Sequence, residues 1–261
     1  MNTLLLSSGG IKGISFLGVW KYIQEKKIEI KTFSGVSIGS LFSLLFILDF
    51  TYEEIYNILI KLDFLDLFHF NFTDFLDLYG MIDILPFENF ILQKIEDKGF
   101  NKTITFEELF QKTGKELHTY AVCVNTEKLE RFDKYTTPNC PIWMAVKMSI
   151  SIPFIFPPVI YNNYKYIDGA FQNGFPIELY DFDKTIPCLV TEEKNENIYN
   201  IFEYTYKIIN SMKNKKINPN VCLIYNKIGK LDITLTKNTI NDLINIGYKS
   251  ITNWIDDNDL K

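Results

Sequence analysis

A serine bracketed by glycines, Gly35-Val36-Ser37-Ile38-Gly39, lies between a short apolar run and the strongly apolar segment Ser40–Phe50. That spacing suits a nucleophile carried on a tight strand-to-helix turn. Small neighbours let strand and helix approach closely while the hydroxyl stands clear of the sheet. The following helix directs its unpaired N–H groups and positive dipole end at the reacting centre. The chemistry such a turn permits is acyl transfer through a covalent serine intermediate.

A serine hydroxyl needs a base, and the chain has only two histidines, His69 and His118. His69 lies in an aromatic-rich stretch and His118 opens a predicted strand. In the Ser, acid, His order of an α/β-hydrolase the histidine comes last and most of the sheet precedes the elbow. Here little of the chain precedes Ser37 and no histidine follows position 118, so a carboxylate is the better candidate. Asp168 stands at the end of a predicted strand, followed by Gly169, Asn173, Gly174 and Pro176. Asp-Gly is also an ordinary turn pair, so locally both readings stay open.

A third glycine-rich stretch, Gly9-Gly10-Ile11-Lys12-Gly13, follows the apolar run Leu4–Leu6 and precedes Ile14, Phe16, Leu17, Trp20 and Ile23 at helical spacing. This predicts a strand, a turn and a helix over 13–26. Strand, turn and helix recur with a strand at Ile28–Phe33 and the helix after Ser37. Further strands are expected at 117–124, at 159–167 as a hairpin turning at Asn162-Asn163, at 185–190 and at 220–226, with helices at 198–213 and 238–256. The alternation implies a mostly parallel sheet covered on both faces, in a single domain over 1–261. Residues 51–90 fit this scheme badly. Their Phe64, Leu65, Leu67, Phe68, Phe70, Phe72, Phe75 and Leu76 suggest an inserted helical cap that fills a core, shelters a greasy substrate or touches a lipid surface.

With 261 residues, 47% of them hydrophobic, the chain has ample material for a core, and a net charge of −5 lacks the basic field that draws proteins to nucleic acid. Cys123, Cys140, Cys188 and Cys222 are too far apart for a metal motif and read as reduced core residues. The amino-terminal sequence has neither a basic leader nor a long apolar run, so a cytoplasmic location is expected. The basic run Lys213–Lys216 is a solvated helix end or a weak contact for an anionic membrane. No calcium loop is evident, and no metal or other cofactor is expected.

Four segments, SGGIKG at 8–13, GVSIGS at 35–40, MSISIPFIFPPV at 148–159 and DGAFQNGFP at 168–176, occur in this order. Together they resemble the patatin-like phospholipase family, with its glycine-rich loop ending in a basic residue and Gly, its G-x-S-x-G elbow, its F-x-P-P segment and its D-G-[GA] motif. The resemblance runs from Leu4 through Pro176 and more faintly beyond. It implies a three-layer α/β/α sandwich and a Ser37–Asp168 dyad acting on lipid acyl esters: phospholipid, lysophospholipid or neutral lipid. It also implies an oxyanion hole from Gly9 and Gly10, joined by the Ile38 N–H, with glycine needed where a Cβ would block the substrate carbonyl.

Lys12, Gly13, Gly35, Gly39 and Gly169 match supporting positions of the motifs; Asn173 and Pro176 match scaffolding. Lys12 orients the loop, favours an anionic group nearby, or is an exposed helix lysine. Ser8 departs from the family's first glycine, which is tolerable unless that residue needs positive φ. A lipid-binding protein without activity and an acyltransferase are the alternatives on the same fold. Transient contact with a membrane surface is expected, and oligomeric state is left open.

Overall fold

The computed structural model describes residues 1–62, 75–192, 220–226 and 235–258, together with 69–70, 204–205, 207–208 and 211. The expected helix at 198–213 and the basic run at 213–216 fall largely or wholly outside these residues, as do Phe64, Leu65, Leu67, Phe68 and Phe72 of the aromatic stretch.

The chain opens with strand β1 (Thr3–Leu6), whose three leucines are fully buried, as a strand covered on both faces requires. A 3-10 turn over Gly10–Ser15 leads into helix α1 (Phe16–Glu25), so the regular helix starts three residues later than the periodicity indicates. Strand β2 (Thr32–Val36) likewise starts later than expected. The Ile28 N–H donates to the Ile23 carbonyl and closes α1, and the chain reaches β1 only where the Lys31 and Thr32 N–H groups donate to Asn2 O. Helix α2 (Ile38–Ile47) follows, and α3 (Tyr52–Lys61) begins at a reciprocal Thr51–Glu54 capping box.

Within the stretch expected to form a helical cap, the described residues also form β3 (His69–Phe70), α4 (Phe75–Leu78), β4 (Ile82–Asp83) and the start of α5 (Leu85–Asp97). Strands β3 and β4 pair antiparallel in a small sheet of their own. Helix α6 (Phe106–Thr113) starts at a second capping box and ends at Gly114, which takes the left-handed conformation with φ 69°. Then come β5 (Glu116–Cys123), β6 (Lys128–Phe132), α7 (Ile142–Ile150), β7 (Val159–Tyr161), β8 (Tyr164–Asp168), β9 (Thr185–Glu192), β10 (Cys222–Asn226) and α8 (Lys237–Asp257).

The main sheet runs β10-β9-β1-β2-β5-β8-β7, parallel from β10 through β5, with β8, β7 and β6 antiparallel. One face carries Phe33, Leu117 and Ala121 into the large core, where the Trp20 ring of α1 stacks on Phe46 of α2 at 4.5 Å. The alternate residues Val36 and Tyr120 point to the opposite face and pack with Ala170 in a separate small cluster. No described helix is long and apolar enough to cross a membrane.

Strand β5 fixes the geometry on which the site depends. Its partners β2, β6 and β8 cover residues 116–120, 119–123 and 121–123 respectively. Because β6 overlaps both of the others, β2 and β8 must share the opposite edge of β5, end to end. The last residue of β2, Val36, lies opposite Tyr120, and the last residue of β8, Asp168, lies opposite the next residue, Ala121. Two strands running head-on along one edge therefore bring Ser37 and Asp168 together.

Candidate active site

Ser37 sits between β2 and α2 with φ 57° and ψ −127°, outside the region an L residue normally occupies. Holding it there costs on the order of 1–3 kcal/mol, which the surroundings must offset. Its N–H donates to Ser149 Oγ at 3.0 Å, and its carbonyl accepts Ser40 Oγ at 2.6 Å. The flanking glycines make the turn sterically feasible: a Cβ on Gly35 would lie 2.1 Å from Gly39 O, and one on Gly39 2.5 Å from Leu6 O.

Ser37 Oγ donates to Asp168 Oδ2 at 2.5 Å, and the two residues are only 6% and 1% exposed. The other carboxylate oxygen, Oδ1, accepts the Ala170 N–H at 2.7 Å, while the Asp168 N–H donates to Ser151 O at 2.8 Å. A Cβ on Gly169 would meet Tyr120 O at 2.5 Å, so this loop lies tight against β5. The carboxyl-terminal turn of α7 thus holds both partners, Ser149 the serine and Ser151 the aspartate. Neither role is legible in the sequence beyond their place in the Met148–Ser151 segment.

The glycine-rich loop faces the start of α2. Gly10 has φ 54° with open space where a Cβ would point, whereas a Cβ on Gly9 would press on Val190 at 3.0 Å. Glycine is needed here for backbone conformation at one position and for strand β9 at the other, which adds to the expected clearance for a substrate carbonyl. Ser8 does not adopt positive φ, and its N–H donates to Gly174 O at 2.8 Å, so serine is tolerated at this position.

Ser7, a residue not singled out by its pattern, holds the loop by donating to Ser8 O at 2.8 Å and accepting the Val190 N–H at 2.9 Å. Lys12 is 6% exposed, which excludes the exposed-helix reading. Its carbonyl accepts Ser15 Oγ at 2.7 Å inside the 3-10 turn. A Cβ on Gly13 would lie 2.5 Å from the Ile38 side chain, so the turn abuts the residue that follows Ser37. Ile38 is the first residue of α2, where a backbone N–H has no helical acceptor. Asn173 Nδ2 donates to Glu178 Oε1 at 2.6 Å and Asn173 Oδ1 accepts the Phe175 N–H at 2.9 Å; Pro176 caps the next 3-10 turn. Both are scaffolding of the loop after Asp168.

His118 is buried and pairs in register with Ser34, three residues before Ser37. Its Nδ1 lies 2.9 Å from the Tyr180 hydroxyl and its Nε2 3.3 Å from Glu116 Oε2. That hydroxyl is also 2.7 Å from Ser34 Oγ and 2.6 Å from the Tyr120 hydroxyl. Tyr180 therefore ties the loop after Asp168 to β2 and β5, a role visible only in three dimensions. The His69 side chain lies outside the described residues.

Burial holds His118 below the ordinary imidazole range, against the opposing pull of Asp133 and Glu116. Because the unfolded chain takes this proton first, the stability contributed by neutral His118 is whole above about pH 6.5 and is lost as pH falls below it. For Glu116, burial acts upward but is outweighed by bonds from Tyr135 and Lys134, so its contribution is whole above the ordinary glutamate value of about 4.3 and is lost as pH falls below it. The thermal midpoint is therefore expected to fall between pH 7 and 5, and to fall less steeply in His118→Gln. Calorimetry across that range checks the slope.

Comparison with known proteins agrees with this architecture. The family model described as patatin-like phospholipase matches residues 4–181. The chain is 36% identical over 181 residues to "Probable lipid hydrolase 463L" of Invertebrate iridescent virus 6, covering 68% of this chain and 62% of that protein. It is 25% identical over 253 residues to Triacylglycerol lipase 5 of Saccharomyces cerevisiae, covering 82% of this chain and 32% of the yeast protein. Among solved structures, VipD from Legionella pneumophila superposes with a TM-score of 0.63 at 15% identity, over 98% of this chain and 67% of that one, which is a likeness of fold. The chain thus spans less than two thirds of the viral relative and about a third of the yeast one. With the family model matching from β1 through the loop after Asp168, the chain belongs to the patatin-like phospholipase family.

Proposed function

We propose that the chain is a serine-dependent lipid acyl-ester hydrolase of the phospholipase A or lysophospholipase type, with Ser37 as nucleophile and Asp168 as base. The observation that carries this reading is the 2.5 Å hydrogen bond from Ser37 Oγ to Asp168 Oδ2. The names of the viral and yeast relatives, a lipid hydrolase and a triacylglycerol lipase, support the substrate class.

Ser37 Oγ attacks the ester carbonyl carbon as its proton passes to Asp168 Oδ2, giving a tetrahedral oxyanion. N–H groups of the Gly9–Gly10 loop and of Ile38 stabilise that charge; the loop's left-handed Gly10 and the open end of α2 supply the donors. Asp168 returns the proton to the alkoxide leaving group, and the acyl chain remains on Ser37. Water then attacks the acyl-enzyme, Asp168 takes its proton, and collapse frees the fatty acid and restores the Ser37 hydroxyl. The Ala170 N–H keeps Oδ1 occupied, so Oδ2 is the oxygen directed at the serine throughout. No imidazole takes part, and the pH–rate profile is expected to lack a limb near about 6.5. A cytoplasmic location, with transient contact at a membrane surface, completes the proposal.

A fluorophosphonate probe is expected to label the protein at Ser37, and a phospholipid mixture is expected to release free fatty acid and lysophospholipid, read by mass spectrometry. Labelling that persists in Ser37→Ala, or lipid profiles unchanged after incubation, would overturn the reading. Appearance of a new ester when glycerol is added, in place of free fatty acid, would make the chain an acyltransferase.

A further inference from the structure

Two bulky side chains outside the dyad stand at positive φ, Tyr79 at 59° and Phe154 at 67°, and they are 53% and 58% exposed. Bulky L residues rarely adopt this conformation, and backbone strain of this kind gathers at functional sites. The two backbones are adjacent: Gly80 bridges to Phe154, and the Met81 N–H donates to Phe154 O and Ile155 O, both at 3.1 Å. Lys165 Nζ lies 5.1 Å from the centre of the Tyr79 ring, and Lys165 pairs directly opposite Ile160, itself exposed. Leu78, beside Tyr79, is exposed as well.

Two segments of chain link this patch to the candidate active site. Lys165 is three residues before Asp168 on β8, about 10 Å along the strand and on the other face of its pleat. Phe154 is three residues after Ser151, whose carbonyl accepts the Asp168 N–H.

We infer that Leu78, Tyr79, Phe154, Ile160 and Lys165 form the surface by which the chain docks on a zwitterionic phospholipid membrane, delivering lipid to Ser37. The inference rests on the lipid-ester reading above. Apolar side chains mixed with a tyrosine hydroxyl and a single ammonium suit the boundary between headgroups and acyl chains. The ammonium meets lipid phosphate, while the rings enter the apolar layer. The charge balance selects the lipid: a net charge of −5 and the exposed Asp77 beside the patch disfavour a strongly anionic surface.

Tyr79→Gly with Phe154→Gly removes both rings, and glycine accepts both backbone conformations without strain. In flotation with phosphatidylcholine vesicles, using chains that also carry Ser37→Ala, partition is expected to fall about tenfold or more on this change. In the active chain, hydrolysis of vesicle phosphatidylcholine falls in parallel, while hydrolysis of a soluble short-chain ester stays within about twofold. If the glycine pair lowers the thermal midpoint, Tyr79→Asn with Phe154→Asn repeats the test, since asparagine tolerates the same conformation.

Equal partition of both proteins, or binding to anionic vesicles alone, overturns the inference. Loss of soluble-ester activity in a folded variant would instead place the rings in the substrate pocket, and a dimer abolished by the substitutions would make the patch a self-association surface. Either result also overturns it. Vesicle binding without any ester hydrolysis would sink the enzymatic reading and leave the docking surface standing.

Discussion

Ser37→Ala and Asp168→Asn are each expected to lower kcat for ester hydrolysis by about 10⁴-fold or more, the scale seen when a nucleophile or the group paired with it is removed from a serine hydrolase. Alanine leaves no oxygen to acylate. Asparagine keeps a carbonyl oxygen for the Ala170 N–H but presents an amide to Ser37, so the geometry survives while the proton acceptor is lost. Both side chains are buried and each substitution nearly preserves volume; at most one hydrogen bond to a buried carboxylate is lost, worth about 1.5–3 kcal/mol. The fold should therefore hold, with the thermal midpoint lowered by about ten degrees at most. Steady-state kinetics beside differential scanning calorimetry separates the two effects. Full activity in either folded variant would remove the dyad.

Gly35→Ala is expected to show the opposite balance, with stability and activity falling together. The new Cβ would lie 2.1 Å from Gly39 O, 2.2 Å from Gly39 C and 2.5 Å from Ser40 N, all backbone atoms of the first turn of α2. No side-chain rotation relieves such a contact; strand β2 and helix α2 must separate. The cost is about 3 kcal/mol, at the upper end of overpacking changes. Ser37 moves with the turn, and a displacement of about 1 Å from Asp168 costs on the order of 100-fold in rate.

Gly10→Ala serves as the contrast. Its Cβ meets nothing within 4 Å, so only the left-handed conformation is penalised, by about 1–2 kcal/mol. Urea midpoints for the two variants, with slopes unchanged, test the ranking. A Gly35→Ala chain as stable as the parent would show that α2 can slide, and would weaken the view that the turn is rigid.

Much of the site is legible because its constraints are local. Gly35 and Gly39 are needed by a turn five residues long, the run Leu4–Leu6 by a strand buried on both faces, and the pair Asn162-Asn163 by a hairpin whose two residues take φ 49° and 67°. The departures are local as well. The Ile28–Phe33 pattern reads as a strand, but the Ile28 N–H closes α1, a competition that composition cannot show. Lys12 looks like a helix-surface lysine until the 3-10 turn folds it inward, where it is 6% exposed.

The glycine-flanked serine turn and the glycine-rich loop can be read from the amino acids alone, because each is written within a few neighbouring residues whose backbone sterics are the same in any fold. Their meeting with Asp168 is a matter of long-range packing. Ser37 and Asp168, 131 residues apart, meet because β2 and β8 end head-on against consecutive residues of β5, and that pairing depends on strand register. Strand register is a property of the whole sheet, settled by which side chains each strand must bury, and no local segment encodes it. The same register carries His118 into the Tyr180 network, and the packing of α7 supplies Ser149 to hold the strained serine.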